Sequence, residues 1–149
     1  MLKRSDWVLL FLSAESGPQE CDQLRVMKGL FLLSQEPASP LYGQYQFEAY
    51  DYGPVDAAVY RDLDALQLAG LIHVQRSLGS TRKTYDLTDS GRLRVSELRK
   101  FVPRNQLEGI ERVKRRVTSF DFDNLLRQIY SEYPDFARNS VASIAGRAV

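Results

Sequence analysis

Few residues of this chain are able to do covalent chemistry. The one histidine, His73, stands between Ile72 and Val74 in a short apolar run, where an imidazole is expected to be structural. The one cysteine, Cys21, excludes an intrachain disulfide and a cysteine-built zinc site. A nucleophilic cysteine needs an adjacent base. None stands near Cys21 in sequence, and a spatial pairing with His73 is the arrangement that would supply one. A place near a helix start lowers a thiol pKa, yet an inert thiol is the default. Gly79-Ser80-Thr81 is too short for a phosphate-cradling loop. Asp121 and Asp123 read as helix capping and dipole compensation, not as an acid–base pair. These residues predict a non-enzymatic protein with no cofactor and no metal.

Binding chemistry is better represented. The formal net charge is +1, but it is segregated: residues 1–75 carry −5, residues 76–116 carry +7, and residues 117–149 carry −1. Such asymmetry marks either a solvated basic face or a surface for an anionic partner. Arg76, Arg82 and Lys83 cluster with the hydroxyls of Ser80 and Thr81, a set able to contact phosphate. Arg112, Arg115 and Arg116 extend the charge, partly balanced by Glu97, Glu108 and Glu111. Upstream, Tyr42, Tyr45, Phe47, Tyr50, Tyr52 and Tyr60 crowd nineteen positions and include five of the eight tyrosines. Tyrosine is enriched at binding hot spots. It also fills cores with its hydroxyl at the rim, so patch and core are both open readings.

The elements that must position these groups follow from spacing. Ser5 is placed to cap a first helix ending near Ala14, before Ser16-Gly17-Pro18. Leu24, Met27 and Phe31, flanked by Val26, Leu30 and Leu33, give a second helix over 22–34 a wide apolar face. Gly29 costs that helix ~1 kcal/mol relative to alanine, which suggests a close approach. Tyr45 to Tyr52 reads as extended. Gly53-Pro54 opens a third helix, with proline at its first position, Val55, Val59, Leu63 and Leu66 inward, and Gly70 as its stop. Residues 71–76 and 84–87 read as two strands around a turn at 78–82. Thr88 caps a fourth helix, with Leu93 and Leu98 inward, that ends at Pro103. Two amphipathic helices follow over 105–118 and 121–133, and a short one begins at Ser140.

Helix, helix, hairpin, helix is the winged helix-turn-helix order. Leu66 to Ile72 leads from helix to strand through Gly70, and Tyr85-Asp86-Leu87-Thr88 leads back to helix. The expected fold is mostly α with a small β-hairpin: a winged helix-turn-helix with additional N- and C-terminal helices. Residues 1–103 form the winged-helix domain with its N-terminal helix. Residues 104–149 form a helical extension that packs on it or builds a dimer interface.

The stretch Leu24 to Leu33, then Phe47-Glu48-Ala49-Tyr50-Asp51-Tyr52-Gly53-Pro54-Val55, then Val59-Tyr60-Arg61-Asp62-Leu63, resembles the Panacea (SocA-like) antitoxin domain family. It is also similar to the YwgA-like bacterial proteins, whose late Ile-Tyr-x-x-Tyr-Pro segment is matched by Ile129 to Pro134. The resemblance spans roughly residues 20–140. It implies a mostly helical winged-helix-like fold and a role in neutralising a toxin or handing a partner to a protease. The second helix departs from the family pattern, with Arg25-Val26-Met27-Lys28-Gly29-Leu30-Phe31 where Gln-Lys usually precedes an aromatic.

Two functional expectations result. In the first, the chain is a regulatory interaction module, antitoxin- or adaptor-like, that binds a protein partner (a toxin or a protease adaptor target) through Tyr50, Tyr52, Tyr60, Asp56 and Asp64. In the second, it is a dimeric DNA-binding regulator that uses the wing bases Arg76, Arg82 and Lys83 with Arg112, Arg115 and Arg116. The third helix argues against base readout. Its expected surface, Asp56, Tyr60, Arg61, Asp62, Asp64 and Gln67, is net −2, and phosphates repel a negative helix. No run reaches the ~20 apolar residues of a membrane span. Trp7 to Leu12 is too short for a signal peptide, and Glu15 follows where a small-residue cleavage site belongs. A cytoplasmic location is expected, with no membrane partner.

Overall fold

A computed structural model of the chain describes residues 2–76, 78–79 and 82–139. The elements in order are α1 (Arg4–Ser13), α2 (Gln23–Gln35), β1 (Glu48–Tyr50), β2 (Gly53–Val55), α3 (Ala57–Leu68), β3 (Ile72–Arg76), β4 (Lys83–Leu87), α4 (Asp89–Arg99), α5 (Arg104–Val117), α6 (Phe122–Glu132) and a 3-10 turn (Pro134–Ala137). The fold is mostly α with two small antiparallel hairpins, β1–β2 and β3–β4. Ser80, Thr81 and the helix expected from Ser140 lie outside the described residues.

Short polar side chains start the helices. Asp22, Asp56, Thr88 and Asp121 accept hydrogen bonds from the backbone N–H groups of Arg25, Ala58, Gly91 and Asn124. Each satisfies a donor with no intrahelical partner. Two expected starts are corrected. Ser5 lies inside α1, and the cap position is Lys3, whose N–H donates to Asp6 Oδ2 at 2.8 Å. Pro54 does not open α3. It belongs to β2, paired with Ala49, and α3 begins after the Asp56 cap.

The 45–52 segment was expected to be merely extended, but it contributes a strand to a hairpin. Glu48, Ala49 and Tyr50 pair with Val55, Pro54 and Gly53, leaving Asp51 and Tyr52 as the tip. Gly53 takes φ +93°, a backbone state that glycine reaches without strain.

One core unites the helices. Val8 to Phe11 of α1, Val26 to Leu33 of α2, and Val59, Leu63 and Leu66 of α3 share it with Ile110, Val113, Val117, Leu125 and Ile129 of α5 and α6. Gly29 allows the close approach its position suggested, since a Cβ there would stand 2.3 Å from Phe11 Cζ. The apolar stripe of α5 packs on α1 and α2, so over residues 104–139 the expected extension is built into the same core. The apolar stripes of α5 and α6, from Ile110 to Ile129, face this core.

Two residues expected inside are outside. Leu24 is 41% exposed and Leu93 is 70% exposed. Leu24 lies in the first turn of α2, ahead of the run from Arg25 onward that neighbours enclose. On α4 the buried line is Gly91, Val95 and Leu98. Leu93 lies two residues from Gly91, about 200° around the helix at 3.6 residues per turn.

Candidate functional site

The β1–β2 hairpin is anchored from below. Lys28 is fully buried on α2, and its Nζ donates to Pro54 O at 3.1 Å. Burial pushes its pKa down to about 7. From the C-terminal side, Asn139 Nδ2 donates to Ala49 O at 2.8 Å. The hairpin tip therefore stands on fixed supports and holds Tyr50 and Tyr52 outward, each about half exposed (50% and 51%). Glu48 and Asp51 are exposed beside them.

The aromatic cluster divides between core and surface. Tyr45 is buried, its hydroxyl donates to Asp62, and Arg4 lies over its ring at 4.4 Å. Burial and the Asp62 carboxylate raise the Tyr45 pKa well above its ordinary value. Phe47 meets Phe31 edge-on at 5.2 Å. Tyr42, Tyr50 and Tyr52 remain on the surface. Tyr60 is half-buried and lines the cleft between α3 and the β3–β4 hairpin, whereas Tyr50 lines a different one beside Arg61.

The acidic residues of α3 are not equivalent. Asp56 was expected on an exposed helix face, yet its carboxylate accepts from Ala58 N and from Gln46 N at 2.7 Å and is occupied by the backbone. Asp62 is ion-paired with Arg4 at 2.7 Å. Asp64 is exposed and has no ion-pair partner among the described residues.

The basic residues do not form one surface. Arg76 and Lys83 face each other across β3–β4. Arg82 pairs with Asp22 at 3.3 Å and Glu20 at 4.0 Å. Arg112 borders the loop after α2, and Arg115 is exposed on α5. Arg116 donates to Gln128 Oε1 and pairs with Glu132, stitching α5 to α6. His73 lies exposed on the outer face of the hairpin, opposite Asp86.

Cys21 lines a cleft of about 790 Å³ that also takes in Gln75, Thr84, Arg92 and Lys114. Burial pushes its thiol pKa up to about 11, which disfavours the nucleophilic thiolate. His73 is not among the residues around that cleft.

Three buried cations escaped the sequence reading. Besides Lys28 there are Lys114 and Arg25. Lys114 Nζ donates to Phe11 O, Leu12 O and Ala14 O at 2.9–3.0 Å, and so closes the C-terminus of α1. Burial lowers its pKa. Arg25 donates to the Asp22 carboxylate and to Phe120 O. A signal was present for each lysine. Lys114 falls on the same helical stripe as Ile110, Val113 and Val117, and Lys28 falls inside the broad apolar face of α2.

The chain matches no known family profile and no curated protein.

Proposed function

We propose that this chain is a non-enzymatic, regulatory protein-interaction module, antitoxin- or adaptor-like, whose contact surface centres on the β1–β2 tip. The observation that carries the reading is the pair Tyr50 and Tyr52, half exposed on a hairpin fixed by Lys28 and Asn139. Rigid tyrosines give large contact area at small entropic cost. Glu48 and Asp51 beside them favour a partner patch containing arginine, which meets both carboxylate and aromatic ring. The resemblance to the Panacea antitoxin family over Phe47 to Val55 supports the same segment.

DNA binding through the wing draws less support. Arg82 and Arg116 are engaged by carboxylates of their own chain, which lowers the positive potential they offer to phosphate. Asp64 stands on the α3 face that a groove would receive.

The test is quantitative capture from extracts of the source cell, with purified wild type, Tyr50→Ala/Tyr52→Ala and Arg82→Glu/Lys83→Glu as baits. A discrete protein retained by the wild type and the arginine–lysine variant, and lost by the tyrosine variant, is the expected result. Sub-micromolar binding to a random DNA duplex that falls steeply with salt and vanishes in Arg82→Glu/Lys83→Glu would replace this reading with the DNA-binding one.

A further inference from the structure

Arg76 and Lys83 are direct partners in the β3–β4 register. Like charges placed opposite each other on neighbouring strands are destabilising. Neither side chain has an ion-pair or hydrogen-bond partner among the described residues. The next residue, Arg82, is by contrast engaged by Asp22, so the fold supplies a carboxylate to one base of this hairpin and withholds it from two.

The direction of those two bases sharpens the point. Strand alternation places Ile72, Val74 and Arg76 on one face with their partners Leu87, Tyr85 and Lys83. This is the inner face, and its deepest pair, Ile72–Leu87, meets the core. Arg76 and Lys83 therefore continue an apolar face instead of pointing from the outer one. Between that face and α3 lies a cleft of about 640 Å³, within the ~300–1,000 Å³ range of small-ligand sites.

The opposite wall comes from α3, where Tyr60, Leu63, Asp64 and Gln67 share one helix face. Leu63, Val74 and Tyr85 make the floor. Burial raises the Tyr85 pKa to about 12, so the phenol keeps its proton. Asp64 forms no ion pair with Arg76 or Lys83. Two bases on one wall and one carboxylate on the other thus remain available to a third species.

We propose that the cleft between α3 and the β3–β4 hairpin binds a small soluble ligand with a phosphate or carboxylate at one end and an amino or hydroxyl group at the other. Arg76 and Lys83 hold the anion, and Asp64 accepts from the donor end. This site is separate from the Tyr50–Tyr52 tip, and neither proposal depends on the other.

The test is a titration of the full chain at fixed ionic strength, following backbone amide NMR signals of residues 74–76 and 83–85. The probes are inorganic phosphate and O-phosphoethanolamine, with chloride as control. Saturable shifts with phosphate are expected. Lys83→Gln or Arg76→Gln should weaken binding about tenfold, the loss of one charge-assisted contact. O-phosphoethanolamine should bind more tightly than phosphate, and Asp64→Asn should remove that advantage while tightening phosphate itself. Thermal melts confirm that each variant is folded. Shifts that do not saturate, that match chloride, or that survive both base substitutions would overturn the proposal. So would a response confined to a DNA duplex or to phosphatidylethanolamine vesicles.

Discussion

Arg82 Nε lies 3.3 Å from Asp22 Oδ2, joining the β3–β4 hairpin to the start of α2. The same carboxylate caps α2 through Arg25 N at 3.0 Å and holds the Arg25 guanidinium at 3.1 Å. One acid thus fixes a helix start, a buried cation and a hairpin. Asp22→Ala is expected to cost about 3–5 kcal/mol, because it leaves Arg25 buried without its counter-charge. The lost cap alone accounts for ~1 kcal/mol of that. Arg82→Ala, at a residue 40% exposed, should cost ~1 kcal/mol or less. Urea unfolding of the two variants measures the difference, and equal losses would show that Asp22 acts only through Arg82.

The buried Lys28 should make stability depend on pH. Its pKa falls from 10.5 to about 7 on folding. Between those values the unfolded chain holds the proton and the folded chain does not, so stability rises as pH rises. Below pH 7 both states are charged and the penalty of burial is felt in full. Lys114, also lowered by burial, acts in the same sense. The Cys21 thiol, raised from 9.0 to about 11, brings an opposing fall above pH 9. The window to read is therefore pH 7–9. Lys28→Met should flatten the rise there and increase stability at pH 7, as measured by denaturant midpoints at each pH.

Gly29 and Phe11 are packed against each other. Gly29→Ala places a methyl group where Phe11 Cζ would be 2.3 Å away. Overpacking of about 1–3 kcal/mol opposes a helix-propensity gain of ~1 kcal/mol. Net destabilisation is expected. Phe11→Leu in the same chain should recover part of it, so a double-mutant cycle would give a favourable coupling between the two changes. Additive losses would argue against direct contact.

Lys114→Met removes the donor that serves three carbonyls at the end of α1. Phe11 O keeps the Ala14 N–H as a donor, so the carbonyls of Leu12 and Ala14 are the ones that lose a partner. Carbonyls left unsatisfied in the interior cost ~1–3 kcal/mol each, and partial rehydration at the half-buried Ala14 softens the total to on the order of 2 kcal/mol. Hydrogen exchange should locate the damage in residues 10–14, and protection unchanged there would refute the capping role.

The tip tyrosines should behave in the opposite way. Tyr50→Ala with Tyr52→Ala touches half-exposed positions, where substitutions usually stay within about 0.5 kcal/mol. The denaturation midpoint should barely move while partner capture is lost. A large drop in stability would make the pair structural.

The sequence by itself determined the helices, their order and the β3–β4 hairpin, because these rest on local signals: apolar spacing at 3.6 or 2 residues, Thr88 and Asp121 as caps, and Gly70 as an exit. It also located the segments that carry charge and tyrosine. Only the tertiary structure decided what those residues do. Pro54 reads as a helix start, but Gly53 and Pro54 face Lys28 and α6 in a strand, a pairing no local pattern encodes. Tyr45 and Tyr50, five residues apart, are separated into core and surface by Asp62 and Arg4. Arg82 and Lys83 are adjacent, yet one meets Asp22, sixty residues away, and the other meets Arg76 at the mouth of a cleft. Ion pairs and burial are set by which distant elements pack together, so a basic cluster that looks continuous along the chain is divided in space.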